Sequence, residues 1–233
     1  MYNTVDMVNV ITVGKTEETS CFSEVLQNFG YESRQYQTEP GNLNLISGKL
    51  NKEDYLLIRG DITDIAQKDL IHVLRNLHKE GVHVILSFHT ELWKKISGTK
   101  PFLIIPERED LEKVYHVIRN ENDAMRILVR MHDHSHGNVI LPLKDEKKAV
   151  FVCADGRQFV SQLPYDETRD DRCASESLTA GFLAAYLSFQ DYVKTFHYAM
   201  SAYSISACKG KPAGRKETED TYQMMKEKKI WMK

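Results

Sequence analysis

Two short, nearly continuous apolar runs, Val82-His83-Val84-Ile85-Leu86 and Phe102-Leu103-Ile104-Ile105, constrain the fold of this chain more than any other feature. A strand with one wet face alternates apolar and polar residues. These runs do not, so both of their faces must be covered, as they are in the parallel strands of α/β proteins. They are predicted to lie side by side in the interior of a sheet, because each is followed by a helical segment that can carry the chain back across it.

The rest of the chain repeats this alternation. Val8 to Val13 and Tyr55 to Ile58 read as further buried strands, each followed by an amphipathic stretch: Glu17 to Phe29, with Cys21, Val25, Leu26 and Phe29 on one face, and Ile65 to Lys79, with Ile71, Leu74 and Leu77 inward. Gly30 and Gly81 end these two helices. Helical stretches at Arg108 to Val117 and Glu121 to Met131 precede strands near Val139 to Leu143, Ala149 to Cys153 and Gln158 to Leu163. The last third is helical, at Ser175 to Phe189, Tyr192 to Cys208 and Lys216 to Lys228, and the stripe Ala180, Leu183, Leu187 is core. Strands alternating with helices predict a three-layer α/β/α sandwich on a mainly parallel sheet with right-handed crossovers.

At 233 residues the chain can bury a sizeable core, and one domain spanning residues 1–233 is the expectation. The 31 Lys+Arg against 33 Asp+Glu lack the basic excess that nucleic acid attracts, so a nucleic-acid partner is not expected. Cys21, Cys153, Cys173 and Cys208 are scattered with no Cys-x-x-Cys pair, and the opening Met1 to Asp6 has neither the basic nor the apolar block of a secretion signal. A reducing, cytoplasmic setting is expected. No membrane is expected either: the apolar stretch from Leu178 to Leu187 is short and is followed by Asp191 and Lys194.

The segment Ala174-Ser175-Glu176-Ser177-Leu178-Thr179-Ala180-Gly181-Phe182-Leu183-Ala184 resembles the G-A-G-D-x-F-x-A-G-F-L-A signature of the PfkB/ribokinase-type carbohydrate kinases. The family's glycines fall on Cys173 and Ser175, and its aspartate falls on Glu176. Lys100 to Glu112 is similar to the K-P-N-x-x-E-L-E region of the phosphofructokinase and tagatose-phosphate kinase branch, with Glu107 in place of the asparagine and Asp110 as the second acid. Thr38-Glu39-Pro40-Gly41 resembles the N-E-P-G stretch of that branch. Gly81 to Leu86 resembles its G-V-x-V-I-L-D strand, with Ser87 where the aspartate would be, and Gly14-Lys15 with Ser23 to Gly30 echoes the helix near the sugar site. Val139 to Lys148 stands where relatives have V-I-V-S-L-G-x-D-G-A, so both glycines are replaced, by Lys144 and Lys147. The resemblance implies a ribokinase-like fold, ATP and Mg²⁺ as cofactors if kinase activity is retained, and a sugar phosphate or nucleotide as ligand. It also implies that the family's β-lid is missing, because about eight residues between Gly30 and Thr38 are too few for several strands.

Phosphoryl transfer depends on positioning and on stabilising charge at the phosphate. In the family the glycine turn lets backbone N–H groups and a helix N-terminus face that phosphate. Cys173, Ala174 and Ser175, in these positions, either pay roughly 1 kcal/mol or more for a left-handed backbone or close the anion nest. Glu176 keeps the charge of the catalytic aspartate but carries it one methylene further out. The other reading of Glu176 is a first-turn acid that stabilises a helix N-terminus. Lys144 and Lys147 are either a basic phosphate loop or a solvated turn. Glu107 and Asp110 are either oxygen ligands for Mg²⁺ or ordinary first-turn acids.

His132, His134 and His136 are the most metal-like cluster; in a loop before a strand they read as exposed imidazoles without the usual Cys/His partners. Three functions fit these observations: a degenerate kinase homologue that binds a ligand or a protein partner, a small working kinase for a fructose- or tagatose-type phosphate, and a structural subunit of a larger assembly or homodimer.

Overall fold

The computed structural model describes residues 8–13, 19–38, 42, 48–61, 67–89, 96–164 and 173–228. The Gly14-Lys15 and Glu39-Pro40-Gly41 motif positions, and the predicted helix starts at Glu17 and Ile65, lie outside them. The strands are β1 (Val8–Val13), β2 (Ser33–Thr38), β3 (Tyr55–Asp61), β4 (His83–His89), β5 (Leu103–Ile104), β6 (Asn138–Leu143), β7 (Lys148–Val152) and β8 (Gln158–Gln162). The helices are α1 (Thr19–Asn28), α2 (Gln67–Lys79), α3 (Arg108–Val114), α4 (Glu121–Ser135), α5 (Ala174–Phe189), α6 (Tyr192–Lys209) and α7 (Arg215–Glu227).

All these strands form one sheet in the order β2-β1-β3-β4-β5-β6-β7-β8. Strands β1 to β6 run parallel to one another, and β7 and β8 continue from β6 as an antiparallel meander on the far side. The predicted neighbours β4 and β5 pair in the interior, with Ile85 opposite Leu103 and Leu86 opposite Ile104.

The period-two geometry of each strand sends successive side chains to opposite faces, and both faces are apolar. Val8, Val10, Leu57, Ile85, Leu103, Ile140 and Phe151 meet Phe22, Val25 and Leu26 of α1 and the buried residues of α5 and α6. Ile11, Leu56, Ile58, Leu86, Ile104, Val139 and Leu141 meet Leu70, Leu74 and Leu77 of α2 and Ala124, Leu128 and Met131 of α4. The three layers expected from the sequence are the ones observed.

Strand β2 was not expected. Its sequence Ser-Arg-Gln-Tyr-Gln-Thr carries no apolar run, because the strand lies at the sheet edge and buries no residue fully. It is a parallel extension of the main sheet. Among the described residues no strand stands apart from that sheet as a flap.

Helices α5 and α6 pack closely because small residues face each other. A Cβ at Gly181 would lie 2.9 Å from Ala202 Cβ and 3.5 Å from Ala199 Cα. Gly181→Leu should therefore destabilise the fold by about 1–3 kcal/mol despite the better helix propensity of leucine. Urea unfolding checks this; a midpoint at or above that of the parent would mean that the two helices do not meet as described.

The same helix pair buries His197, and burial, opposed by Asp191, lowers its pKa to about 4. An unfolded chain takes up this proton near pH 6.5, so the unfolded state binds more protons between about pH 6.5 and pH 4. The stability present above this window is lost as pH falls through it, by roughly 3 kcal/mol in all. His197→Phe should flatten the pH dependence in that window, measured as unfolding free energy at half-unit steps; an unchanged slope would show that His197 takes up its proton alike in the folded and unfolded states.

Candidate functional site

A cavity of about 810 Å³ opens at the carboxyl edge of the parallel strands. Chain order explains its place. From β1 the chain crosses to β2 on one side, and β3 then lies on the other side of β1, so the connections diverge at this edge and leave a crevice there. Its wall is drawn from Ser20 and Cys21 at the start of α1, Arg59 near the end of β3, Glu107 at the N-cap of α3 with Arg108 and Glu109 in its first turn, and the β6–β7 hairpin with Lys144 and Asp145. Cys173 to Glu176 at the start of α5 and Tyr203 of α6 complete it.

Arg59 is the central side chain of this wall, although no motif in the sequence marks it. Its Nη2 donates to Glu176 Oε1, and its Nη1 donates to Ser87 Oγ at 3.0 Å. The Arg59 and Glu176 side chains are 10% and 2% exposed, so this is a buried ion pair linking the sheet edge to the first turn of α5. Ser87, in the position of the expected aspartate, serves as the acceptor that holds the other arm of the guanidinium. A signal was present in Tyr55-Leu56-Leu57-Ile58-Arg59: a charge ending a buried parallel strand sits where α/β sheets bind ligands.

Helix α5 begins with Cys173 as its N-cap at φ −109° and ψ 7°. Neither Cys173 nor Ser175 has a positive φ. The backbone here therefore does not take the left-handed turn that glycine would favour. Ser177 N–H donates to the Cys173 carbonyl at 2.9 Å, and Thr179 Oγ1 donates to the Ser175 carbonyl at 2.7 Å, as in an ordinary helix start. Ser177 Oγ also lies 2.5 Å from Ser206 Oγ, tying this turn to α6.

The β6–β7 turn differs from its expectation in the opposite sense. Lys147 has φ 52°, so a left-handed backbone stands, despite the side chain, at one of the positions where the resemblance puts glycine. Lys144 lines the cavity and Lys147 does not. The hairpin is held from below: Arg108 Nη1 donates to Asp145 Oδ2 at 3.2 Å, and Lys148 Nζ meets Glu121 Oε1 at 2.8 Å. Arg108 also bonds Glu112 and the Ile118 carbonyl. The Ile118 N–H foremost, then the Arg108 guanidinium, hold the Glu112 carboxyl below the usual carboxylate range, with burial opposing them.

Glu107 and Asp110 part company. Glu107 is the N-cap of α3 and reaches the cavity wall, whereas Asp110 is buried off it and bonds Lys113 Nζ at 3.2 Å. Among the described residues no three His, Cys, Asp or Glu side chains gather as a metal-binding group. The histidine cluster, expected in a loop, is instead the last turn and C-cap of α4, because the helix continues to Ser135 and ends at His136 with φ 60°. Helical geometry turns His132 and His134 to different sides, where their Nδ1 atoms contact the carbonyls of Gly137 and Arg130.

Cys21 and Cys173, which the sequence reading left in a scattered set suited to a reducing setting, are disulfide-bonded, with their Cα atoms 5.7 Å apart. Cys153 and Cys208 are free. No helix among the described residues is long and apolar enough to cross a membrane.

No protein-family model and no curated protein matches the chain. Solved structures do. The tetrameric inhibited form of phosphofructokinase-2 from Escherichia coli superposes with a TM-score of 0.77 at 10% identity, over 96% of this chain and 100% of that one. Arabidopsis thaliana ribokinase complexed with ribose and ATP gives 0.68 at 11% identity, over 94% and 99% of the two chains. The pyridoxal kinase from Staphylococcus aureus gives 0.62 at 11% identity, over 87% and 89%. The resemblance drawn from the sequence motifs is thus matched in the fold, which is ribokinase-like.

Proposed function

We propose that the chain is a single ribokinase-like domain without the lid, a degenerate homologue of the sugar-phosphate kinases that binds a phosphosugar and transfers little or no phosphate. The buried Arg59–Glu176 pair carries this reading. A general base must offer its carboxylate to the acceptor hydroxyl, and here that carboxylate already accepts from a guanidinium. Releasing it would leave an uncompensated charge in a buried site.

The cavity still suits a ligand. About 810 Å³ lies within the usual range for small-molecule sites. Its wall mixes Arg59, Arg108 and Lys144 with Glu107, Glu109, Asp145 and Glu176, so the acids slightly outnumber the bases. That balance disfavours a bare polyphosphate. It suits a ligand whose hydroxyls donate to carboxylates such as Glu107 while one phosphate meets Lys144, as in a fructose- or tagatose-type phosphate. The family resemblance implies ATP with Mg²⁺; here Glu107 is the one expected ligand at the wall, and a nucleotide would have to bring the metal with it.

Calorimetric titration with fructose 6-phosphate, tagatose 6-phosphate, ATP and ADP, each with and without Mg²⁺, tests the reading. Saturable binding of a sugar phosphate at one site per chain, with nucleotide binding weaker and Mg²⁺-dependent, is the expected result. No heat with any sugar phosphate would overturn it and shift the account to a protein partner.

A further inference from the structure

We infer that Cys21 and Cys173 form a reversible dithiol–disulfide couple that fastens and releases the α1 side of the cleft, a regulatory role that rests on the cleft being the ligand site proposed above. Both cysteines belong to the cavity wall, one at the start of α1 and the other at the N-cap of α5. Their bond therefore staples two walls of the crevice at its rim.

Release there has a local effect, because α1 is also held by other means. Phe22, Val25 and Leu26 are buried in the core beneath the sheet face, and Asn28 Nδ2 donates to the Ala213 carbonyl at 3.1 Å. Opening the disulfide leaves these contacts in place. It frees only the first turn of α1, which carries Ser20 and Cys21, because the first turn of α5 stays held by the Arg59–Glu176 pair and by Ser177 against Ser206.

The two sulfurs differ in ways that suit exchange. Cys21 is half-buried and within reach of a small thiol, whereas Cys173 is 6% exposed at the N-cap of a 16-residue helix, so the first exchange falls to Cys21 and the closing one to Cys173. A low-molecular-weight disulfide such as oxidised glutathione supplies the oxidant. The Cys21 thiolate attacks one glutathione sulfur, the glutathione S–S bond breaks, and one glutathione thiolate leaves. The Cys173 thiolate then attacks the Cys21 sulfur of the mixed disulfide and expels the second. Two protein thiols become one disulfide, one glutathione disulfide becomes two glutathione thiols, and the two protons pass to the leaving thiolates. Cys153 is fully buried, and burial foremost, with Asp155 adding, pushes its thiol up to about 12, so it stands outside this chemistry.

The test needs no ligand. The purified chain is equilibrated over a wide series of reduced-to-oxidised glutathione ratios, trapped by differential alkylation and read by mass spectrometry, and the two end states are compared by amide hydrogen exchange. Cys21 and Cys173 should titrate together as one couple while Cys153 stays a thiol throughout. Exchange should quicken tenfold or more on reduction in residues 19–22, with 23–28 and 173–178 unchanged, and Cys21→Ser should show the reduced pattern at every ratio. A bond that persists at all ratios, cysteines that alkylate independently, or rim amides that exchange alike in both states would each overturn the inference. Because binding is not measured here, these failures are distinct from failure of the calorimetric titrations.

Discussion

Arg59→Met should cost about 3–5 kcal/mol of unfolding free energy, and Glu176→Leu a similar amount, whereas the double variant should lose far less than the sum. A buried ion pair is dear to half-remove, because the partner left behind keeps its desolvation cost and loses its compensation. Removing both charges in favour of apolar residues of similar volume abolishes that cost, and in other proteins such replacements have been neutral or better. Here both side chains are nearly sealed from water, and a second arm of Arg59 is committed to Ser87, so solvent screening does little to soften the penalty. Urea unfolding of the four proteins gives the coupling directly, with equal m-values as the condition for comparing midpoints. Arg59→Lys, which keeps the charge but not the forked geometry, should fall between the parent and Arg59→Met. Single losses below about 1 kcal/mol that simply add would place the pair among surface salt bridges and remove the main reason for calling Glu176 a committed acid.

What the sequence revealed, and what it hid, follows from how each feature is encoded. Val82 to Leu86 and Phe102 to Ile105 were legible because a strand buried on both faces must be apolar at nearly every position, and they are the neighbouring β4 and β5. β2 was not legible because an edge strand buries little and so needs no pattern. His132 to His136 were misplaced into a loop because a polar last turn leaves no hydrophobic stripe, while the left-handed cap that ends the helix is carried by His136, where glycine or asparagine is the usual cue.

At the cleft, the motif positions were legible by their order in the chain. Cys173 to Glu176, Lys144 and Glu107 do converge on one cavity, while Lys147 and Asp110 point elsewhere. Arg59 and the Cys21–Cys173 bond join residues 117 and 152 positions apart, and nothing local marks such pairs. Backbone state was the least legible property: at the positions where the resemblance puts glycine, Cys173 and Ser175 have no left-handed backbone and Lys147 has one.

The central claim is that Glu176 holds Arg59 and does not serve as a general base. It is tested most directly by steady-state turnover of ATP with fructose 6-phosphate and tagatose 6-phosphate at saturating Mg²⁺, for the parent chain and for Glu176→Gln. Displacing a base from its acceptor by about 1 Å can cost on the order of a hundredfold, and a helix start without its glycine nest loses further stabilisation of the transferred phosphate. The expected result is turnover orders of magnitude below the roughly 1–100 per second of working kinases, and unchanged by Glu176→Gln. Turnover within that range, abolished in a folded Glu176→Gln protein, would contradict the account and show that Arg59 yields the carboxylate to substrate.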